Sequence, residues 1–302
     1  MDSCGKLRRL IDVRTAASVV IASMMGAGIF TTSGFIARDT GSPSIVLALW
    51  LVGGVIALAG ALSYAELGAA MPRAGGEYVY LREAYGPAVA YLSGWTSFFI
   101  GFSGAIAAAL LGLTAYAGHF VPEIKDSPVA HKLVALVALW LLTLVHLLRT
   151  PRGGAIQRIL TGATVAGIAL LAVAGFLAGR GSFANFATSA SAHGSATVSL
   201  IFVLYAYSGW NAASYIAGEI RDPAANLPRA LVAGTAIVTI LYVSLNALYA
   251  YALPINAMSG ELAVAEKAAV ALFGGVAASA IMILLILAIA ASALRLLVAL
   301  AD

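Results

Sequence analysis

Charge is what this 302-residue chain has least of. Its 13 acidic and 17 basic residues make up 10% of the sequence, against about 25% in a soluble globular protein. Cysteine is nearly absent too: Cys4 stands alone, which excludes an internal disulfide and a thiolate metal site. The four histidines show no metal spacing. There is no phosphate-binding loop and no nucleophile–base pattern, so the chain does not read as an enzyme and calls for neither metal nor cofactor. The net charge of +4 does not indicate nucleic-acid binding, because the basic residues are scattered between apolar runs rather than clustered. A cleaved signal peptide is excluded as well: the first apolar run is too long and seven more follow it.

What the chain has instead is 62% hydrophobic residues, the composition of an integral membrane protein. Eight apolar segments are legible, at about 15–37, 44–65, 87–116, 133–148, 159–179, 196–218, 230–253 and 268–294, each of a length to cross or nearly cross a bilayer as a helix. With the N-terminus in the cytoplasm, 12 Lys and Arg fall on the inner side and 5 on the outer, and none inside a span. This bias predicts an all-α, multi-pass protein of the cell (plasma or inner) membrane with residues 1–14 as a cytoplasmic tail.

Two of the segments carry defects. The first holds Met24-Met25-Gly26-Ala27-Gly28, and the sixth holds Tyr205-Ala206-Tyr207-Ser208-Gly209-Trp210-Asn211. Glycine weakens a helix interior by about 1 kcal/mol relative to alanine. Irregular backbone at mid-membrane depth is tolerated only where protein or water surrounds it, and a pair of interrupted segments in matching positions points to a transporter binding site. Between spans two and three, Pro72 and Gly75-Gly76 mark a turn, and Glu77 to Tyr85 reads as a short amphipathic helix. After span six, Asp222-Pro223 starts a turn and Pro228 suits the first turn of the next helix. The small, polar stretch 180–195 reads as a mobile outer loop.

Met25-Gly-Ala-Gly-Ile-Phe30, Tyr64-Ala-Glu-Leu67, Pro72-Arg-Ala-Gly-Gly-Glu-Tyr78, Tyr207-Ser-Gly-Trp-Asn-Ala-Ala213, Gly218-Glu-Ile220 and Asn226-Leu-Pro-Arg-Ala230 together resemble the amino acid–polyamine–organocation superfamily, in its L-type amino acid transporter-like branch. The resemblance covers roughly Arg14 to Leu287. It implies the LeuT-like fold of two inverted five-helix repeats, usually within about twelve spans, with the first and sixth spans broken. Residues 15–179 then form the first repeat and 196–302 an incomplete second one, so about eight of the twelve helices are present. Ser292 to Asp302 departs from the family pattern, and a truncated or frameshifted product is the expectation.

The resemblance also implies where an amino acid would sit. A zwitterion is costly to desolvate unless each charge meets a partner. Amides at Gly26, Ala27 and Gly28 suit the carboxylate at a helix N-terminus, and carbonyls near Tyr205, Ala206 and Ser208 suit the ammonium group, with Met24 in the same set. Tyr205 and Trp210 are the expected lids. Phe102, Ser103 and Asn211 are candidates for the pocket lining. The uncharged spans favour neutral substrates, since an intramembrane charge is functional by default; a cationic amino acid or polyamine antiporter, or a non-transporting fragment, is the alternative. Proton-coupled relatives carry a lysine where this chain has Thr164, a sodium site would draw on oxygens such as that of Ser292, and His146 reads as structural more readily than as a proton relay. Beyond the amino acid and the bilayer no partner subunit is identified.

Overall fold

Asp12 opens the first span. Its carboxylate accepts the Thr15 amide at 2.9 Å, capping the helix α1 (Val13–Met24) in the way that satisfies an otherwise orphaned first-turn donor. In this computed structural model, which describes residues 9–147 and 153–301, the span continues after a break as α2 (Gly28–Thr31) and α3 (Ser33–Thr40). The second span is α4 (Pro43–Ala70). A connecting helix α5 (Glu77–Tyr85) follows, at the position read from the sequence. The third span is α6 (Pro87–Thr96), a π-helical turn at Ser97–Phe102 and α7 (Ser103–Ala117). Then come α8 (Pro122–Asp126), α9 (Pro128–Leu147) and α10 (Gly153–Ala178).

The sixth segment is α11 (Ala196–Ala206), an irregular turn, and the short α12 (Ala212–Tyr215). Beyond it lie α13 (Pro223–Ala252), α14 (Ile255–Met258), α15 (Val264–Phe273) and α16 (Gly275–Ala301). Among the described residues, six stretches are long and apolar enough to cross a membrane: Val13–Thr31, Pro43–Ala70, Pro87–Ala117, Thr161–Ala178, Pro223–Ala252 and Gly275–Leu294. Two shorter apolar helices cover Pro128–Leu144 and Ala196–Ala206. The protein is an all-α, multi-pass membrane protein. Leu51, Val55 and Leu62 on α4, Leu141 on α9 and Leu177 on α10 lie exposed, as side chains bathed by lipid do.

Helix α13 is the central post. It packs along α4 and α1, and Leu227, Leu231, Val238, Tyr242 and Leu245 on it are fully buried. Polar groups on the post bond within reach: the Thr235 and Thr239 hydroxyls donate to the carbonyls of Leu231 and Thr235. Ser33 of α3 donates to the Asn246 side-chain oxygen at 2.8 Å.

The loops gather at two ends. At one, Ile11 pairs with 219–221 through backbone bonds of 3.0 and 2.9 Å, and the Gly75 amide donates to Tyr215. At the other, the His193 and Ala190 amides donate to Arg38 and Gly41, and Gly260 donates to Gly34.

Three expectations are corrected. Stretch 180–195 is not a free loop: Arg180 donates to Leu272, Ser182 and Asn185 donate to the Tyr251 carbonyl, and the Thr188 hydroxyl accepts the Ile255 amide. Small polar residues there serve as fasteners rather than as slack. The eighth segment does not begin at 268: Gly274, at φ +81°, separates α15 from the spanning helix. Pro228 is not in the first turn of α13, because Pro223 already holds that place, the fixed φ of proline suiting a helix start.

Candidate functional site

Helix α1 ends where Met25 turns to ψ 66° while its amide still donates to Ile21. Gly26 then folds back, its amide donating to Met24 at 2.7 Å. Ala27 restarts the helix, taking the amides of Phe30 and Thr31 on its carbonyl. Of the three amides expected to face a carboxylate, that of Gly26 is therefore used within the turn. Those of Ala27 and Gly28 donate to no backbone carbonyl among the described residues, since the first N–H groups of a helix have no intrahelical partner.

The sixth segment breaks by a different device. The Tyr207 amide donates to Val203 and that of Ser208 to Tyr205. Gly209 then takes φ +97°, a conformation L side chains rarely adopt. The chain resumes as α12. Tyr205 and Ser208 stay exposed at this turn, while Ala206 is buried.

The two breaks touch. A methyl group on Gly28 would come within 2.9 Å of Ala206 Cα and Cβ, and one on Gly209 within 2.7 Å of the Ser23 carbonyl oxygen. The sequence-predicted residues Met24, Gly26, Ala27, Gly28, Tyr205, Ala206 and Ser208 thus lie on two breaks that meet at Gly28 and Ala206. No charged side chain lies in either break.

The outlying candidates are placed less centrally. Trp210 stands edge-on to Tyr64 at 4.9 Å and covers Gly60 of α4, where a methyl would meet its ring at 2.8 Å. Phe102 lies 6.3 Å from the Tyr215 ring. The Ser103 hydroxyl closes the π-turn by donating to Phe98 at 2.8 Å. Asn211 donates to Glu77 at 3.2 Å. The same carboxylate accepts from the Tyr215 hydroxyl at 2.6 Å and from Ser97 at 3.2 Å, so one anion ties α5 to the third and sixth spans. Thr164 makes an interaction of its own, and the His146 side chain lies outside the described residues. The Ser292 hydroxyl is buried without a hydrogen-bond partner among the described residues and faces Gly26, at 3.6 Å from where a methyl would sit.

The amino acid permease model matches residues 11–302, which takes in both breaks and every span between and beyond them. The chain belongs to the amino acid permease family. It is 34% identical over 250 residues to the b(0,+)-type amino acid transporter 1 of Mus musculus, covering 80% of this chain and 51% of that protein. It is 30% identical over 286 residues to the serine/threonine exchanger SteT of Bacillus subtilis, covering 94% and 64%. Against the cystine/glutamate transporter of Pongo abelii the identity is 31% over 250 residues, covering 81% and 50%. The chain spans about half the length of the animal relatives it matches. None of these relatives is named as an enzyme.

Sequence reasoning missed two groups that the fold brings in. Glu77 reads as part of a connector, though its spacing after Gly75-Gly76 in a resembling motif was a usable signal. Tyr242 gave no signal, because a tyrosine in an apolar helix reads as packing. Its hydroxyl donates to the Met24 carbonyl at 2.5 Å and lies 3.4 Å from that of Ala206.

Proposed function

We propose that this chain is a secondary transporter, permease or exchanger, that moves neutral amino acids by alternating access, with the substrate held between the two breaks. The observation that carries the reading is the meeting of Gly28 with Ala206. It brings the start of one half-helix, with its amides, beside the carbonyl end of another, at breaks that carry no charged side chain. Amides at a helix N-terminus favour an anion, and C-terminal carbonyls favour a cation. A zwitterion presents both. Ala27 and Gly28 hold the carboxylate, with Met24 and Gly26 shaping that side; Tyr205, Ala206 and Ser208 receive the ammonium group. Tyr205, which is 41% exposed, closes over the site, and Trp210 braces the break against α4. Phe102, Ser103 and Asn211 line the approach.

The relatives' names, an amino acid transporter, a serine/threonine exchanger and a cystine/glutamate transporter, support an amino acid substrate. Residues 15–179 act as the first repeat and 196–302 as part of the second. The N-terminus faces the cytoplasm at the plasma or inner membrane, in keeping with the gathering of Ile11, Gly75 and Ile220 at one end and the excess of Arg there.

The experiment is counterflow. Liposomes carrying the chain are preloaded with unlabelled leucine, alanine, serine, arginine or putrescine, and uptake of the matching labelled solute is followed. Uptake of leucine, alanine or serine that Gly26→Leu abolishes is the expected result. Uptake of arginine or putrescine alone would overturn the substrate class, and no uptake by well-folded protein would overturn the transport reading for this chain.

A further inference from the structure

His119 stands just past α7, at the end of the third span away from the pairing of Ile11 with Ile220. Its ring lies between two other elements. Nδ1 is 2.9 Å from Glu266 Oε1 on α15, and Nε2 is 2.9 Å from Ser279 Oγ on α16. The Ser279 hydroxyl donates to the Gly275 carbonyl at 3.0 Å, in the first turn of α16. The side chains of His119 and Glu266 are 16% and 15% exposed. The segment that carries Glu266 also closes over the first span. The Gly260 amide donates to the Gly34 carbonyl at 2.8 Å, a methyl on Gly34 would run into the Glu261 backbone, and α15 packs on α2.

Counting protons along this chain of contacts shows what it needs. A hydroxyl has one proton to give. If Ser279 gives it to Gly275, Ser279 can only accept from Nε2–H. A neutral imidazole then has a lone pair at Nδ1, aimed at a carboxylate oxygen 2.9 Å away, which repels. If Nδ1 keeps the proton instead, the Ser279 hydroxyl must leave Gly275 to serve Nε2. Only the imidazolium, with a proton on each nitrogen, makes all three bonds at once. It also turns the Nδ1 contact into a charge-assisted one, for which 2.9 Å is an ordinary length.

We propose that His119, Glu266 and Ser279 form a proton-binding latch that fastens α15 to the third span and to α16, holding the outer side of the transport site shut at low pH. The proposal rests on the transport reading above, which defines that site and its outer side. Losing the proton removes one bond and the ion pair, and α15 then lifts more often from α2 and α3. The other titratable groups on the surrounding elements have partners or places of their own. Lys267 of α15 pairs with Glu261. Tyr116 of α7 donates to the Phe30 carbonyl, and Tyr249 lies buried on α13. Glu123 belongs to α8, and Arg180 follows α10 with its amide on Leu272. His131 of α9 bonds to Thr114 and to the Leu111 carbonyl, and His193 sits in the stretch joined to Arg38. A pH response carried by any of these survives removal of His119.

The test uses a thiol that α15 itself hides. Ala268 is 2% exposed, and in a Cys4→Ser background Ala268→Cys is the single thiol. Its labelling by a membrane-impermeant maleimide in proteoliposomes is timed at about pH 8 and about pH 5.5, a range over which histidine changes charge and carboxylates ordinarily do not. Each rate is divided by that of glutathione at the same pH, which removes the titration of the thiol. The normalised rate should fall about tenfold from the higher pH to the lower. With His119→Gln or Glu266→Gln it should change by less than about twofold. A flat profile in the parent overturns the proposal, and so does a profile that survives either substitution. Alanine counterflow is followed in the same vesicles. If the parent exchanges no amino acid, the transport reading fails, and the labelling still decides whether the latch exists.

Discussion

Both breaks are marked by glycine in the sequence, the first by Gly26 and Gly28 and the second by Gly209, yet glycine does different work in each. At the first, neither Gly26 nor Gly28 takes a positive φ. The turn is made by Met25, and Gly28 is there for room: it lets Ala206 of the other span approach. At the second, Gly209 is required by the backbone itself, at φ +97°, and by its contact with the Ser23 carbonyl. A glycine that provides space can be replaced if the neighbour gives way. A glycine that provides an angle cannot.

The sharpest test of that difference is Gly209→Ala. A side chain in the left-handed region costs about 1–2 kcal/mol, and the overlap with Ser23 adds about 1–3 kcal/mol. Since the atom it meets is backbone, no partner truncation relieves it. The melting temperature of the purified protein should fall further than with Gly28→Ala, Glu77→Gln or Gly26→Ala. No second-site change at Ser23 should restore it.

Gly28→Ala comes next. Its methyl would overlap Ala206, an overpacking penalty of about 1–3 kcal/mol. Ala206→Gly removes one of the two atoms it meets, Cβ, and leaves the Cα at 2.9 Å, at a helix-propensity cost of about 0.5–1 kcal/mol. The double variant should therefore recover part of the lost melting temperature, as coupled neighbours do in a double-mutant cycle. If Gly28→Ala is not rescued, or if Gly209→Ala is tolerated, the assignment of room to one break and angle to the other is wrong.

The flanks differ as well. The first break is bounded by side chains that find partners locally, such as Thr31 and Thr32 bonding to the carbonyls of Ala27 and Gly28. The second is anchored from outside, through Glu77 to Asn211 and Tyr215. Glu77→Gln keeps the shape but loses acceptor capacity toward Asn211 or Ser97. A loss of about 1 kcal/mol in stability is expected. The same substitution should speed proteolysis between Pro72 and Tyr85 while leaving the first break unchanged, measured as maleimide labelling of a cysteine at Ser23.

This contrast also shows how far the sequence could be read. The breaks were visible because Met25-Gly-Ala-Gly-Ile-Phe30 and Tyr207-Ser-Gly-Trp-Asn-Ala-Ala213 resemble the motifs of broken spans, whereas Gly53-Gly54 lies inside the unbroken α4, and helix 77–85 was visible because Gly75-Gly76 bounds it. The job each glycine does was not visible, since room and angle leave the same letter. Nor was the company of Glu77, because Ser97, Asn211 and Tyr215 lie 20 to 138 positions away and meet only when the third and sixth spans pack. Tyr242 was hidden by the same logic: its value lies in where a 30-residue helix carries its hydroxyl. Stretch 180–195 misled because small polar residues are as common in fasteners as in free loops.

Gly26→Ala should have the smallest effect on the fold and is the most informative about function. A methyl at Gly26 would meet nothing closer than the Ser292 hydroxyl at 3.6 Å, an ordinary contact. The Gly26 amide keeps its bond to Met24 whatever the side chain. Stability should change by less than about 1 kcal/mol. Leucine at the same place adds three more carbons, which enter the space between the first break and Ser292. If that space holds the substrate, Gly26→Leu stops counterflow while Gly26→Ala only raises the half-saturating concentration, with both proteins melting near the parent. If both variants exchange amino acids like the parent, the space beside Gly26 is not where the substrate binds, and the site must be sought nearer the exposed turn at Tyr205 and Ser208.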